Sequence, residues 1–262
     1  MMKIGIALLI IYVISAIILY FLQEKIIFQG IKLPNDYAYK FDKNFEEVNL
    51  KTADNFTLNA LHFKVKNPKG VILYFHGNRG NLARWGEISS YFTQYNYDVF
   101  VMDYRKYGKS TGPFNETQMY NDAQICYEHI KKFYPEDKIT IYGRSLGCTF
   151  AIKTAANNTP KQLILEAPFY SLTDVASYHY PLMPFKLLMK YKFESNLYLK
   201  NVTCKTTIFH GTNDGVVPFD SGKKLYESAI KKYTAFVEIP DGRHNDLIQF
   251  EIYKRGVIEL LE

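Results

Sequence analysis

Residues 138–151 read KITIYGRSLGCTFA, and the middle of this stretch decides the fold. Lys138–Tyr142 alternates β-branched and aromatic residues as a short buried strand does, while Cys148–Ala156 has the composition of a helix. Between them lies Gly143-Arg144-Ser145-Leu146-Gly147, a G-x-S-x-G element. A strand that turns this sharply into a helix pushes the central side chain clear of the sheet. Glycines on either side remove the Cβ atoms that would obstruct the turn. With 15 Gly and 10 Ser in 262 residues, chance supplies about 0.03 such matches. The spacing therefore predicts a nucleophile at Ser145 above the edge of an α/β sheet.

A serine hydroxyl needs a base, and the base needs a carboxylate to orient it. In this architecture the chain order is Ser, then acid, then His. Asp214, in His210-Gly-Thr-Asn-Asp-Gly-Val-Val-Pro218, and His244, in Asp241-Gly-Arg-His-Asn245, fit that order, each on a loop after a strand-like run. Asp103 and Asp174 are weaker acids for the role. His76 precedes Ser145, His210 reads as turn structure, and His62 falls in an early hairpin. His129 sits on a helix surface, and His179 lies in an aromatic insertion. Negative charge on the attacked carbonyl oxygen requires preorganised N–H donors. The backbone of Leu146, directly after the nucleophile, is one. The backbone of Asn78, in the loop His76-Gly77-Asn78 after Val71–Phe75, is the other.

Outward from the elbow, short apolar runs recur at 71–75, 98–103, 163–166, 207–210 and 235–239, separated by helix-length stretches near 82–95, 116–134, 219–232 and 246–261. Fully apolar strands alternating with helices indicate an α/β domain with a mostly parallel sheet covered on both faces. Phe45–Lys51 and Phe56–Val65, joined by Thr52-Ala53-Asp54-Asn55, read as a hairpin at its start. Nearly forty residues between Glu166 and Cys204, rich in Tyr, Phe, Met and Pro, read as a small cap insertion at about 167–200.

Ile4–Leu22 carries no charge, and as a helix it spans about 28 Å, close to the hydrocarbon thickness of a bilayer. The run is longer than the apolar region of a cleaved leader, and Phe21-Leu22-Gln23-Glu24 is a poor cleavage sequence. Residues 1–25 are therefore expected to form a single N-terminal transmembrane anchor, 26–44 a connection, and 45–262 one domain. Lys3 flanks one side of the apolar run, and Lys25, Lys32 and Lys40 with Glu24 and Asp36 the other, so the charge balance assigns neither side of the membrane. A net charge of +6 spread over scattered lysine pairs gives no basis for nucleic-acid binding. Three distant cysteines form no zinc or redox spacing. Gly108-Lys109-Ser110 imitates the end of a phosphate-binding loop, but Asp103 stands where that loop needs glycine. No cofactor or metal is expected.

Phe75-His-Gly-Asn78, Asp103-Tyr-Arg-Lys-Tyr-Gly-Lys-Ser-Thr-Gly112, Gly143–Gly147, Glu166-Ala-Pro-Phe169, His210–Asp214 and Gly242–Asp246 together resemble the membrane-anchored α/β-hydrolases of the Bem46-like group, related to the eukaryotic depalmitoylases of that fold. Lys106 stands where glycine is commoner in that group, and Cys148 where the helix often starts with glycine. The resemblance implies an α/β-hydrolase fold and a serine hydrolase using Ser145, Asp214 and His244. The expected reaction is hydrolysis of a carboxylic ester or thioester, with a lipid-like or other small acyl substrate. The alternatives are a serine peptidase with the same residues and an inactive membrane-tethered binding protein.

Overall fold

The computed structural model describes residues 2–262. The apolar N-terminal run forms helix α1 (Met2–Ile27), extending five residues past Leu22, and strand β1 (Gln29–Gly30) follows at once. The hairpin is β2 (Phe45–Lys51) and β3 (Thr57–Phe63). Then come β4 (Val71–Phe75), β5 (Arg79–Gly80), α2 (Leu82–Ser90), β6 (Asp98–Met102), α3 (Glu116–Lys131), β7 (Ile139–Arg144), α4 (Gly147–Asn157) and β8 (Gln162–Glu166). The insertion folds as three short helices, α5 (Leu172–His179), α6 (Phe185–Leu188) and α7 (Ser195–Leu199). The chain closes with β9 (Lys205–Gly211), α8 (Phe219–Glu227), β10 (Thr234–Ile239) and α9 (Glu251–Leu261).

Eight strands form one sheet in the order β10-β9-β8-β7-β4-β6-β3-β2. From β6 to β10 every neighbouring pair is parallel, whereas β3 runs antiparallel to both β2 and β6. Two-residue alternation divides the core between the faces. Val71, Leu73 and Phe75 of β4 join the side chains of α3, α4 and α8, while Ile72 and Tyr74 pack with those of α2 and α9. Because both faces are covered, the central strands are apolar throughout. The fold is α/β, with the cap inserted between β8 and β9.

All four expected helices are shorter than the stretches between the apolar runs, with α3 ending at Lys131 and α8 at Glu227. The 82–95 stretch becomes a 3-10 turn from Tyr91 and ends at Asn96, whose φ of 62° terminates it. The 246–261 stretch likewise opens with a 3-10 turn at Leu247–Gln249 before α9 begins. A small parallel pairing of β1 with β5, Gln29 opposite Arg79 and Gly30 opposite Gly80, has no periodic signature in the sequence.

Candidate active site

Ser145 stands between β7 and α4 with φ at 51°, a left-handed conformation that a non-glycine residue adopts only when its surroundings impose it. Its N–H donates to the Glu166 carbonyl at 2.8 Å, fixing the turn to β8. A Cβ on Gly147 would sit 2.0 Å from the Phe75 carbonyl oxygen, and one on Gly143 2.6 Å from the Cys148 Cα. Both glycines are thus required by close approach, and Gly147 brings the elbow against the end of β4. The Cys148 thiol is buried between the Gly143 and Glu166 carbonyls at 3.1 and 3.3 Å, and burial pushes it far above the usual thiol range.

The loops after β9 and β10 bring Asp214 and His244 to the same rim. His244 Nδ1 donates to Asp214 Oδ2 at 2.7 Å. That bond places the proton on Nδ1 and leaves Nε2 as acceptor for the Ser145 hydroxyl, 2.9 Å away. Asp214 Oδ1 accepts the N–H groups of Val216 and Val217, both at 2.9 Å. Burial alone would raise the Asp214 carboxyl. Hydrogen bonds from His210, His244 and Val216 outweigh it and hold the group well below the usual carboxylate range.

His210 is more than turn structure. It is fully buried, and its Nε2 donates to the Val217 carbonyl at 3.1 Å and lies 3.5 Å from Asp214 Oδ2. It therefore shores up the loop that carries the acid. The spacing of four residues, H-G-T-N-D at the end of a strand, is the signal that could have indicated this. The remaining histidines and acids lie elsewhere. His62 is buried 3.5 Å from Asp98, and His129 packs on Phe100. His179 bonds the Val216 carbonyl. Asp103 receives the Leu82 N–H at the start of α2, and Asp174, on the cap helix α5, accepts from Ser221 and Lys224 of α8.

Leu146 follows Ser145 in the elbow and Asn78 lies in the loop after β4, and neither N–H has an acceptor among the described residues. The Asn78 loop is positioned by the 103–110 segment. Tyr104 donates to the His76 carbonyl at 2.6 Å, and Tyr107 to the Asn78 carbonyl at 2.7 Å and its Oδ1 at 2.9 Å. Arg105, wholly buried, bridges Asp122 and Asp54 and ties the segment to α3 and to the hairpin turn. Beneath the nucleophile, Arg144 pairs with Glu166 at 3.0 Å, and Tyr142 and Tyr253 donate to the other oxygen of the same carboxylate. Sequence reasoning missed this buried network, because its members lie on three separate elements.

The arrangement can deliver an oxygen nucleophile to an acyl carbon and relay a proton through an imidazole. Among the described residues no cluster of His, Cys, Asp and Glu could hold a metal ion.

Residues 66–199, just over half of the chain, match the family described as serine aminopeptidase, S33. An uncharacterized membrane protein of Saccharomyces cerevisiae is 30% identical over 247 residues, covering 90% of this chain and 87% of that protein. Protein bem46 of Schizosaccharomyces pombe is 28% identical over 277 residues, covering 98% and 91%. The lysophosphatidylserine lipase ABHD12 of Danio rerio is 32% identical over 191 residues, covering 64% of this chain and 48% of the lipase. Among solved structures, an esterase of Pyrococcus furiosus superposes with a TM-score of 0.68 at 20% identity, over 87% of this chain and 98% of the esterase, which speaks to the fold alone. The chain belongs to the serine aminopeptidase S33 family of α/β-hydrolase enzymes and, within that fold, to the Bem46-like group.

Proposed function

We infer that this hydrolase cleaves carboxylic ester or thioester bonds through an acyl-enzyme formed on Ser145. The observation that carries the reading is the unbroken line from Asp214 Oδ2 to His244 Nδ1 at 2.7 Å and from His244 Nε2 to Ser145 Oγ at 2.9 Å. His244 takes the hydroxyl proton as Ser145 attacks the acyl carbon. The N–H groups of Leu146 and Asn78 receive the charge that develops on the carbonyl oxygen. The imidazolium then protonates the departing alcohol or thiol. In the second half, water attacks the ester on Ser145 while His244 again takes a proton, and the acid is released. Asp214 stays ionised, maintains the imidazole tautomer and stabilises the imidazolium.

α1 serves in this reading as a membrane anchor. Its mean hydropathy is 2.8 over the most apolar window, and none of that window is buried against the rest of the chain. Resemblance to a lysophosphatidylserine lipase and to a yeast membrane protein supports a lipid-like acyl substrate. The family description favours a second reading, an aminopeptidase. Such an enzyme must hold the substrate's α-ammonium, and the carboxylates at the relay, Asp214 and Glu166, are already committed to protein partners.

The full-length protein in detergent, assayed on p-nitrophenyl esters of increasing chain length and on aminoacyl p-nitroanilides, tests both. Ester turnover that vanishes in Ser145→Ala, together with fluorophosphonate labelling of wild type only, is the expected result. Undiminished turnover in Ser145→Ala would overturn the mechanism, and preference for the anilides would install the aminopeptidase.

A further inference from the structure

The cap turns an unusual face to its surroundings. Residues 180–189 read YPLMPFKLLM, with one charge in ten positions. Leu182 and Leu187 are each 85% exposed, and Tyr178 and Tyr180 64% and 65%. Large apolar side chains grouped this way on a folded surface mark a contact with something apolar.

The occupant is indicated by α1. Gln23, the one buried residue of that helix, donates to the Leu188 carbonyl at 3.2 Å and accepts the Lys190 N–H at 2.7 Å. Eleven residues earlier, about 16 Å along the helix axis, the Tyr12 hydroxyl donates to the Leu182 carbonyl at 3.0 Å. The cap segment thus lies alongside the apolar helix and reaches the middle of its uncharged run. Any bilayer that surrounds α1 at Tyr12 also meets Leu182.

The backbone of the segment suits that medium, where unpaired polar groups are costly. Pro181 and Pro184 have no N–H to satisfy. Met183, Phe185, Leu187, Leu188 and Met189 each donate to a carbonyl within residues 180–185. Lys190 sits at the level of Tyr20, its Nζ 4.4 Å from the ring centroid, as a lysine and an aromatic do at a membrane boundary. The patch also approaches the catalytic rim. His179 Nε2 donates to the carbonyl of Val216, itself exposed and two residues from Asp214.

We propose that the cap tip, residues 178–188, is a bilayer-docking surface that inserts its apolar side chains into the same membrane as α1 and presents the Ser145 rim to the acyl region of the lipid. The proposal rests on α1 being the anchor, and its test carries a separate probe for that reading.

The full chain bearing Cys204→Ser is labelled with a nitrobenzoxadiazole fluorophore at Leu182→Cys, Leu187→Cys, Ile10→Cys or Phe133→Cys. Each is reconstituted into phosphatidylcholine vesicles with and without doxyl-labelled phosphatidylcholine. Ile10 is exposed on α1; Phe133 is exposed between α3 and β7, at the end of the parallel strands opposite the one that carries Ser145. Quenching at Leu182 and Leu187 within about twofold of that at Ile10, with none at Phe133, is the expected result. Quenching at Ile10 alone overturns the docking surface and leaves the anchor standing. Absence of quenching at all four positions overturns both. A Leu182→Cys chain that forms a disulfide dimer and escapes quenching gives the face to a second copy, which also overturns the proposal.

Discussion

The sheet rim and the cap follow opposite rules. At the rim, Ser145, Asp214 and His244 come from three strand ends, lie half-buried or buried, and each polar side-chain atom has a partner inside the protein. In the cap, helices of eight, four and five residues expose leucines and tyrosines and lean on α1. The rim is specified by internal complementarity, through strands whose side chains are buried on both faces. The cap is specified in part by an apolar helix that lies outside the domain. The difference separates a rim held by partners inside the protein from a cap whose exposed apolar side chains have none.

Ser145→Ala should break the comparison most sharply, with ester turnover lower by at least about 10⁴-fold and unfolding unchanged. Asp214→Asn should follow, with kcat down by about 10³- to 10⁴-fold, since the imidazole loses the partner that fixes its tautomer. The same variant has a stability signature. The Asp214 carboxyl is held below its ordinary range, so its contribution is present above the unfolded value, near pH 4, and disappears only as pH falls through the depressed folded value. Denaturant titrations of wild type and variant should therefore differ by a constant amount from neutrality down to about pH 5, and converge only in stronger acid. Convergence already between about pH 7 and 5 would contradict this account.

Leu165→Ala, in the buried centre of β8, should cost about 3 kcal/mol by chemical denaturation. Tyr107→Phe removes the hydroxyl that holds the Asn78 loop and should lower kcat by about tenfold, with KM nearly constant and about 1 kcal/mol of stability lost. Leu187→Ser, on the exposed cap face, should change stability in detergent by no more than about 0.5 kcal/mol. A large loss there would mean that the cap is held by internal packing like the sheet, and the contrast would fail.

The parts of the molecule that repeat with a period were legible in the sequence. β4, β6 and β8 announce themselves as apolar runs, and the elbow through two glycines around a serine. Asp214 and His244 are candidates by chain order, a topological argument that needs no coordinates, and the structure brings His244 within hydrogen-bonding reach of both Asp214 and Ser145. What stayed hidden depends on contacts between distant segments. The pairing of Gln29–Gly30 with Arg79–Gly80 is too short for any alternation to show. His210 looks like any histidine before a glycine until the loop folds back and brings Val217 and Asp214 to it. The cap resisted reading because Pro181 and Pro184 cut its helices below the length at which a helical period is visible. The 103–110 segment was recognisable as a motif. Its work as the brace behind Asn78 emerged only when Tyr104 and Tyr107 could be placed.

Phe28 is the only residue between the end of α1 and the first strand, and it is buried, stacked on Phe114 at 4.0 Å and set edge-on against Tyr191. One residue later the chain is already paired to the loop that carries Asn78. A tethered enzyme on a loose linker sweeps a volume and samples substrates at many distances. This one has no slack. If α1 is the anchor inferred above, a junction of one buried residue ties the height of Ser145 to how the helix stands.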